Sequence, residues 1–281
     1  MPVLPEIKTI YNSLTNAEKR VADVVLHNAR RVIFLSISEL GDLARAGDAT
    51  VLRFCRKIGF QSYQALKLAL SMEAGAEEEA GSPDRMVHDG DTVEAILDKT
   101  FRNIADNLKE TRMLANPAAL EGAAERILRA DRIAVFGVGG SGVIAQDTAS
   151  KFMRIGVHIE YCLDVHAQLM LASILSPSDL AIGISFSGST RDTLAILRTA
   201  KENNVPVICI THHARSPLAD LSDLILLHGS NEGPLQGGDS STKISQLSIV
   251  EALYHVVYMK LGESARRYKW RTSSAVLGEL T

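Results

Sequence analysis

Apolar positions in the first quarter of the chain recur at helical spacing. Thr15 and Glu18 form a T-x-x-E capping box ahead of Val21, Val24, Val25 and Leu26, which predicts a helix over about Asn16 to His27. A second helix is predicted from about Ser38, an N-cap residue type, through Leu40, Leu43 and Ala44. A third follows from about Asp48 through Val51, Leu52, Phe54, Cys55 and Ile58 and stops before Gly59, with only Arg45 to Gly47 between it and the second. Tyr63 to Ser71, with Leu66, Leu68 and Leu70, reads as a fourth.

The pattern changes after Val93. Two amphipathic helices are predicted, about Thr92 to Ala115 and Ala118 to Arg129, broken at Asn116-Pro117. Short apolar runs of strand length then alternate with helix-compatible or turn-rich segments: Arg132 to Gly137, His158 to Cys162, Leu180 to Ser185, Val205 to Ile210 and Leu224 to Leu227. A helix over about Lys243 to Leu261 closes the series. Parallel strands need a crossover of this length between them, so the order predicts an α/β domain with a parallel sheet covered on both faces.

Charge divides the 281 residues in the same place. Residues 1–72 hold ten Lys and Arg against six Asp and Glu, a balance of +4, and form a small all-α domain. Residues 73–92 carry seven acids against Arg85 alone, with Gly75, Gly81, Pro83 and Gly90 among them, and read as an acidic linker. Residues 93–281 are close to neutral, with nineteen bases and twenty acids. A net charge of only -3 excludes a uniformly basic coat for nucleic acid, so any such partner must meet a local patch. Cys55, Cys162 and Cys209 are isolated, which argues against a disulfide framework or a zinc cluster and fits a cytoplasmic protein. No apolar run reaches the roughly 18 residues of a membrane span, and the N-terminus lacks the pattern of an export signal.

Two short helices joined by a tight turn, the second carrying bases, have the arrangement that places a recognition helix in the DNA major groove. Arg53, Arg56 and Lys57 share one face of the third helix while Val51, Phe54, Cys55 and Ile58 turn inward. Arginine contacts guanine or phosphate bidentately and lysine adds a point charge. An ordinary solvated basic face is the competing reading of such a helix. The segment SISELGDLARAGDATVLRFCRKIGFQSYQALKLAL resembles the helix-turn-helix domain of RpiR-type bacterial transcription regulators. Thr50-Val51, Arg53 to Lys57 and Gly59-Phe60 fit that family's T-V-x-R-F-C-R-K-x-G-F signature. The resemblance implies DNA contacts from Arg53 and Arg56, with Thr50 and Lys57 as weaker candidates. Arg45 stands where the family usually has glycine and Gly47 where it has serine or another cap, which leaves Asp48 as an alternative cap.

Small residues after the first predicted strand, Gly137, Gly139, Gly140, Ser141 and Gly142, let backbone N–H groups approach an anion at a helix start. A dinucleotide fold uses the same chemistry, with Asp164 or Glu160 as its acid. The third strand ends in ISFSGSTRDT, where Ser185, Ser187, Ser189 and Thr190 stand beside Gly188 and supply hydroxyls that a dinucleotide fold does not require. Together the two loops can wrap a phosphate without lysine, metal or cofactor. G-x-G-x-S and S-x-S-G-x-T are similar to the sugar isomerase (SIS) domain, which follows the DNA-binding domain in RpiR-type regulators. That resemblance covers about Arg126 to Gly262 and implies a flavodoxin-like fold with a five-stranded parallel sheet and a phosphosugar at the strand carboxyl ends. It assigns phosphate contacts to Ser141, Ser185, Ser187 and Thr190, supported by Gly137, Gly139 and Gly188. Phe186 replaces a polar residue common between the serines.

Asp164 and His166 resemble a D-x-H element in which the histidine meets sugar hydroxyls; a capping aspartate and a packed histidine explain them equally. Ser240, Ser241 and Lys243 resemble a segment that closes over a ligand, or simply cap the last predicted helix. His212-His213 has no carboxylate or cysteine at ligand spacing, so no metal is expected. The reading is therefore a transcriptional regulator of carbohydrate genes, not an enzyme. Its expected partners are a double-stranded DNA operator and a phosphosugar effector, and it is expected to act as a homodimer or dimer of dimers. The rival is a sugar phosphate isomerase, for which Glu251, Glu160 and His166 are the candidate bases. A scaffold that keeps the sheet only for dimerisation is a third reading, against which the serine loops weigh.

Overall fold

The computed structural model describes residues 3–75, 87–230 and 240–278. Most of the acidic segment assigned as a linker therefore lies outside the described residues. The chain divides into two compact units, with the boundary between Asn103 and Ile104.

The first unit is helical, with α1 Val3–Ile10, α2 Asn16–Val32, α3 Ile37–Leu43, α4 Asp48–Lys57 and α5 Tyr63–Gly75. Ile7, Val21, Val25, Leu40, Val51, Phe54 and Leu66 pack into one core with no solvent exposure. The Thr15–Glu18 capping box forms as its spacing predicts. A second box caps α3, but its members are Ser36 and Glu39. Ser38 lies inside the helix and donates to Asp48 Oδ2 at 2.9 Å. α2 runs five residues past its predicted end at His27, through a non-helical Asn28 (φ -136°). α5 likewise continues beyond Ser71. Tyr63 and Lys67 hold the chain that follows α2: the Tyr63 hydroxyl donates to the carbonyls of Val32 and Leu35, each at 3.1 Å, and Lys67 Nζ to that of Leu35 at 3.0 Å.

The second unit holds a sheet ordered β2-β1-β3-β4-β5, every neighbouring pair parallel. Its strands are β1 Ile133–Phe136, β2 Ile159–Tyr161, β3 Leu180–Ile184, β4 Val207–Thr211 and β5 Leu224–Leu227. Helix α6, Val93–Leu114, leads into α7, Pro117–Arg129, and both termini agree with the predicted helices to within a residue or two. α8 Gly140–Met153 and α12 Ser240–Leu261 join α7 on one face of the sheet. α9 Val165–Ser173, α10 Arg191–Glu202 and α11 Pro217–Leu221 cover the other. Successive strand residues alternate between these cores: Ile133 and Val135 face one, Ala134 and Phe136 the other. Burial on both faces is why the strands read as unbroken apolar runs. A last helix, α13 Glu263–Leu277, follows a left-handed Gly262 (φ +56°) and was not predicted, because Ala265 alone of its residues is fully covered.

In this order β1 sends its connection to β2 on one side, and the chain then returns past β1 to β3 on the other. The carboxyl ends of β1 and β3 thus flank the point where the winding reverses, the crevice in which open α/β sheets bind ligands.

Candidate functional site

The first candidate site is the turn and exposed face of α4. Arg45 closes α3 in the left-handed region at φ +51°, where a residue with a Cβ is strained. Arg20 of α2 holds that turn, its guanidinium donating to the Ala44 carbonyl at 2.9 Å and the Arg45 carbonyl at 2.8 Å. Gly41 is required for the same close approach, since a Cβ there would lie 2.6 Å from the Ala46 carbonyl oxygen. α4 starts at Asp48 with Gly47 as its cap and no side-chain cap hydrogen bond; the Thr50 N–H donates to the Gly47 carbonyl at 2.8 Å. Asp48 is the first helical residue and not the cap.

Arg53 and Arg56 are exposed, on the side of α4 away from buried Phe54 and Cys55. Thr50 is buried, and its hydroxyl accepts from Arg53 Nη2 at 3.0 Å, so it orients the arginine. Lys57 is tied to Glu18 across 2.7 Å. Burial works against an ionised Glu18, but the hydrogen bond from Lys57, those from the Thr15 backbone and hydroxyl, and the lysine charge prevail and hold its carboxyl at about 2. This pair braces α4 against α2. Its sequence separation of 39 is why spacing along α4 alone does not reveal it.

The second candidate site is the pair of loops after β1 and β3. Gly137 has no room for a side chain, because a Cβ would stand 2.7 Å from the Ser141 carbonyl oxygen. Gly139 caps α8 at φ +60°, ψ -130°, a conformation open essentially to glycine, and offers no side-chain acceptor to the first amides of the helix. Ser141 is half-buried on that first turn. Behind the loop, Gln168 of α9 is fully buried and holds Gly137 twice: its Oε1 accepts the N–H at 3.3 Å and its Nε2 donates to the carbonyl at 3.0 Å.

In the second loop the structure brings Ser185 and Thr190 together, their hydroxyl oxygens 3.1 Å apart. Thr190 begins α10 without capping it. Elsewhere side chains do cap helices: Thr15, Ser36, Asn116, Asp164 and Ser216 all accept first-turn amides. The serine-rich segment is thus not spent on capping α10. The Ser187 hydroxyl accepts from the Ser189 N–H at 3.2 Å. Gly188, at φ +59°, passes so close to Ser216 that a Cβ would lie 2.1 Å from its hydroxyl. Phe186 points into a cluster with His212, His213 and His228, stacked on His212 at 5.5 Å between centroids.

The weaker candidates separate. Asp164 caps α9 by accepting the Ala167 N–H at 3.0 Å, while His166 is exposed one residue into that helix. At the start of α12, the Lys243 stem lies 3.9 Å from where a Gly140 Cβ would be, so α12 brings this lysine side chain against the glycine loop. Ser241 is buried and bonded to Asn107. Glu251 is engaged by Lys151 and, at 3.0 Å, by His255; the hydrogen bond from Lys151 leads in lowering its pKa. Lys151 lies eleven residues along α8 from Gly140, or about 16 Å at the helical rise, so this carboxylate belongs to the far end of the helix. All three cysteines are free thiols, and burial pushes Cys55 up to about 12 and Cys209 to about 11. The described residues contain no helix long and apolar enough to cross a membrane and no metal-binding group of His, Cys, Asp and Glu.

Comparison with known proteins follows the same division. Residues 1–77 match the model of the helix-turn-helix domain of the rpiR family, and residues 126–256 that of the SIS domain. An uncharacterized HTH-type transcriptional regulator of Haemophilus influenzae is 34% identical over 277 residues, covering 98% of this chain and 96% of the relative. The HTH-type transcriptional regulator HexR of Pseudomonas aeruginosa is 31% identical, over 92% of this chain and 90% of its own. Among solved structures, the Vibrio vulnificus NanR protein complexed with ManNAc-6P superposes with a TM-score of 0.87 at 28% identity, covering 98% of both chains.

The Glu18–Lys57 pair sets a pH dependence. Because the folded carboxyl titrates at about 2, below its ordinary 4.5, its stabilisation is complete above 4.5 and is lost as pH falls toward 2. Thermal melts across that window should show the first unit weakening with acid. Glu18→Gln should melt lower at neutral pH and lose much of this acid dependence; an unchanged slope would show that the pair does not carry it.

Proposed function

The chain belongs to the rpiR family of HTH-type transcriptional regulators, and from that premise we propose that α4 reads an operator whose affinity is set by a phosphorylated sugar at the carboxyl ends of β1 and β3. The observation that carries this is the meeting of two loops at neighbouring strand ends. One offers the start of α8, where Gly139 places no side chain, the other hydroxyls from Ser185 and Thr190, and Lys243 adds a positive charge. Parallel neighbours lie about 4.8 Å apart, so both loops reach one phosphate. The whole-length similarity to a NanR protein complexed with ManNAc-6P supports a phosphosugar as the effector class.

In this reading Arg53 and Arg56 contact bases and phosphates, Thr50 orients Arg53, and Lys57 meets the DNA backbone only as far as Glu18 releases it. Ser141, Ser185, Ser187 and Thr190 hold the phosphate, and His166, exposed at the head of α9, meets sugar hydroxyls. Residues 1–72 are the DNA-reading domain, 73–92 the linker and 93–281 the sensing domain. The regulator works in the cytoplasm as a homodimer or dimer of dimers, because a two-fold protein matches paired half-sites. It senses its ligand without turning it over, since Glu251 is paired with Lys151 away from the loops.

Three outcomes are expected. Arg53→Ala and Arg56→Ala should each weaken binding to an operator selected from a random duplex pool by about 1–3 kcal/mol at fixed salt, with phosphosugar binding retained. Wild-type affinity in both would remove α4 from the interface. The Ser141→Ala, Ser185→Ala double variant should bind operator normally but lose sugar phosphate affinity in calorimetry, each contact to a charged phosphate being worth about 1.5–3 kcal/mol. Unchanged affinity would take the phosphate away from these loops. In deuterated water, a bound aldose or ketose phosphate should gain no deuterium at carbon; protein-dependent incorporation would establish an isomerase.

A further inference from the structure

A buried polar belt runs from α6 to the phosphate loops, and neither the phosphate contacts nor the DNA contacts use it. Asn107 of α6, with no solvent exposure, donates to the Ser241 hydroxyl of α12 at 2.8 Å. One turn on, the Thr111 hydroxyl donates to the Asn107 carbonyl at 2.7 Å and accepts the Gly229 N–H at 2.9 Å. Glu110 lies against Gly229, where a Cβ would meet its own Cβ at 2.6 Å, and accepts the Ser230 N–H. Ser230 and Thr242 share a 2.6 Å hydrogen bond. α6 is thereby fastened both to the first turn of α12 and to the segment after β5.

Each of these attachments leads on to a phosphate loop. The first turn of α12 carries Lys243, whose stem lies over Gly140. The segment after β5 carries His228, which is fully buried and, chiefly through burial, titrates at about 3, so it is neutral. Its Nδ1–H donates to the Gly229 carbonyl at 3.1 Å, leaving Nε2 to accept from Gln246 at 3.3 Å. The His228 carbonyl accepts from His212 Nδ1 at 3.0 Å; His212 stacks on Phe186, and its N–H donates to the Phe186 carbonyl at 3.2 Å. Phe186 stands between Ser185 and Ser187. At its other end α6 runs back to Val93, and its residues are divided between the two units at Asn103 and Ile104.

We propose that this belt is the relay by which occupancy of the phosphate loops reaches α6, with Asn107 and Thr111 as its positioning residues. The relay rests on the phosphosugar reading above. A ligand drawing Lys243, or Ser185 and Ser187 on either side of Phe186, toward a phosphate shifts the start of α12 or the segment after β5. Asn107 and Thr111 cannot follow independently, because each buried donor or acceptor left unpaired is costly. The ligand then acts by favouring one of two settings of α6, as any allosteric effector must favour one of two states. Neither residue touches the ligand or the DNA in this account, so binding and response are separable.

The test uses the full-length chain, a selected operator and three probes, glucose 6-phosphate, fructose 6-phosphate and ManNAc-6P, with inorganic phosphate as control. In the wild type, the probe that binds should change operator affinity by about 5- to 150-fold, the usual range of allosteric coupling. Thr111→Val keeps the side-chain size but loses the hydroxyl. It should retain operator binding and probe binding, each within about threefold, while the response falls below about twofold. Thr111→Ser, which keeps the hydroxyl, should retain the response even where its melting temperature drops. Asn107→Ala gives the same readout should Thr111→Val fail to fold. A variant that folds, binds the probe and responds as the wild type overturns the relay, as does a response that follows melting temperature instead of the hydroxyl. A wild type that none of the three probes binds overturns the phosphosugar reading for them, and the relay with it.

Discussion

In a sheet whose strands are all parallel, every carboxyl end lies along the same edge, and the connection leaving each strand must start there. The order β2-β1-β3-β4-β5 adds a reversal of winding between β1 and β3, so their two loops are the pair that part to leave a crevice. The functional features of the second unit follow from this constraint. Glycines sit at that edge because α8 starts immediately beyond β1 and leaves no room for a Cβ at Gly137. Serines and a threonine follow β3, where hydroxyls face the same opening. The residues packed behind the loops, Gln168 of α9 and Ser216 at the head of α11, come from the layer that also holds α10 and are fully buried.

Much of this was legible in sequence because its signals are local. Apolar runs bounded by turns placed all five strands, and the T-x-x-E spacing of Thr15 and Glu18 placed the start of α2. The same spacing rule distinguishes Ser36, three residues before Glu39, from Ser38, which has the right chemistry in the wrong place. Arg45 in the left-handed region accounts for the glycine expected there. Other features depend on contacts distant in sequence. The Lys57–Glu18 pair, the Lys243 stem over Gly140 and the histidines around Phe186 join residues that no short window contains. α13 escaped because it buries little and so lacks the apolar stripe by which a helix is recognised.

The two candidate sites share the type of helix start and differ in what surrounds it. Both α4 and α8 begin with a glycine cap that makes no side-chain hydrogen bond to the helix start. On α4 the start carries Asp48, and the exposed arginines lie further along, Arg53 in the middle and Arg56 in the last turn. On α8 the start stands beside hydroxyls and one lysine, enough for a single phosphate group. In the proposed function, selectivity therefore lies in the rest of each helix's surroundings: long bidentate cations along α4 for a polymer, a close cradle at the start of α8 for a metabolite.

Operator and phosphosugar, in the proposed function, are linked through one chain, and linkage is reciprocal. The most direct measurement is sugar phosphate affinity by calorimetry, with and without saturating operator, at one salt concentration. Operator should change this affinity by the same factor, about 5- to 150-fold, by which the sugar phosphate changes affinity for operator. A sugar phosphate bound equally well by the free and the operator-bound protein would contradict it.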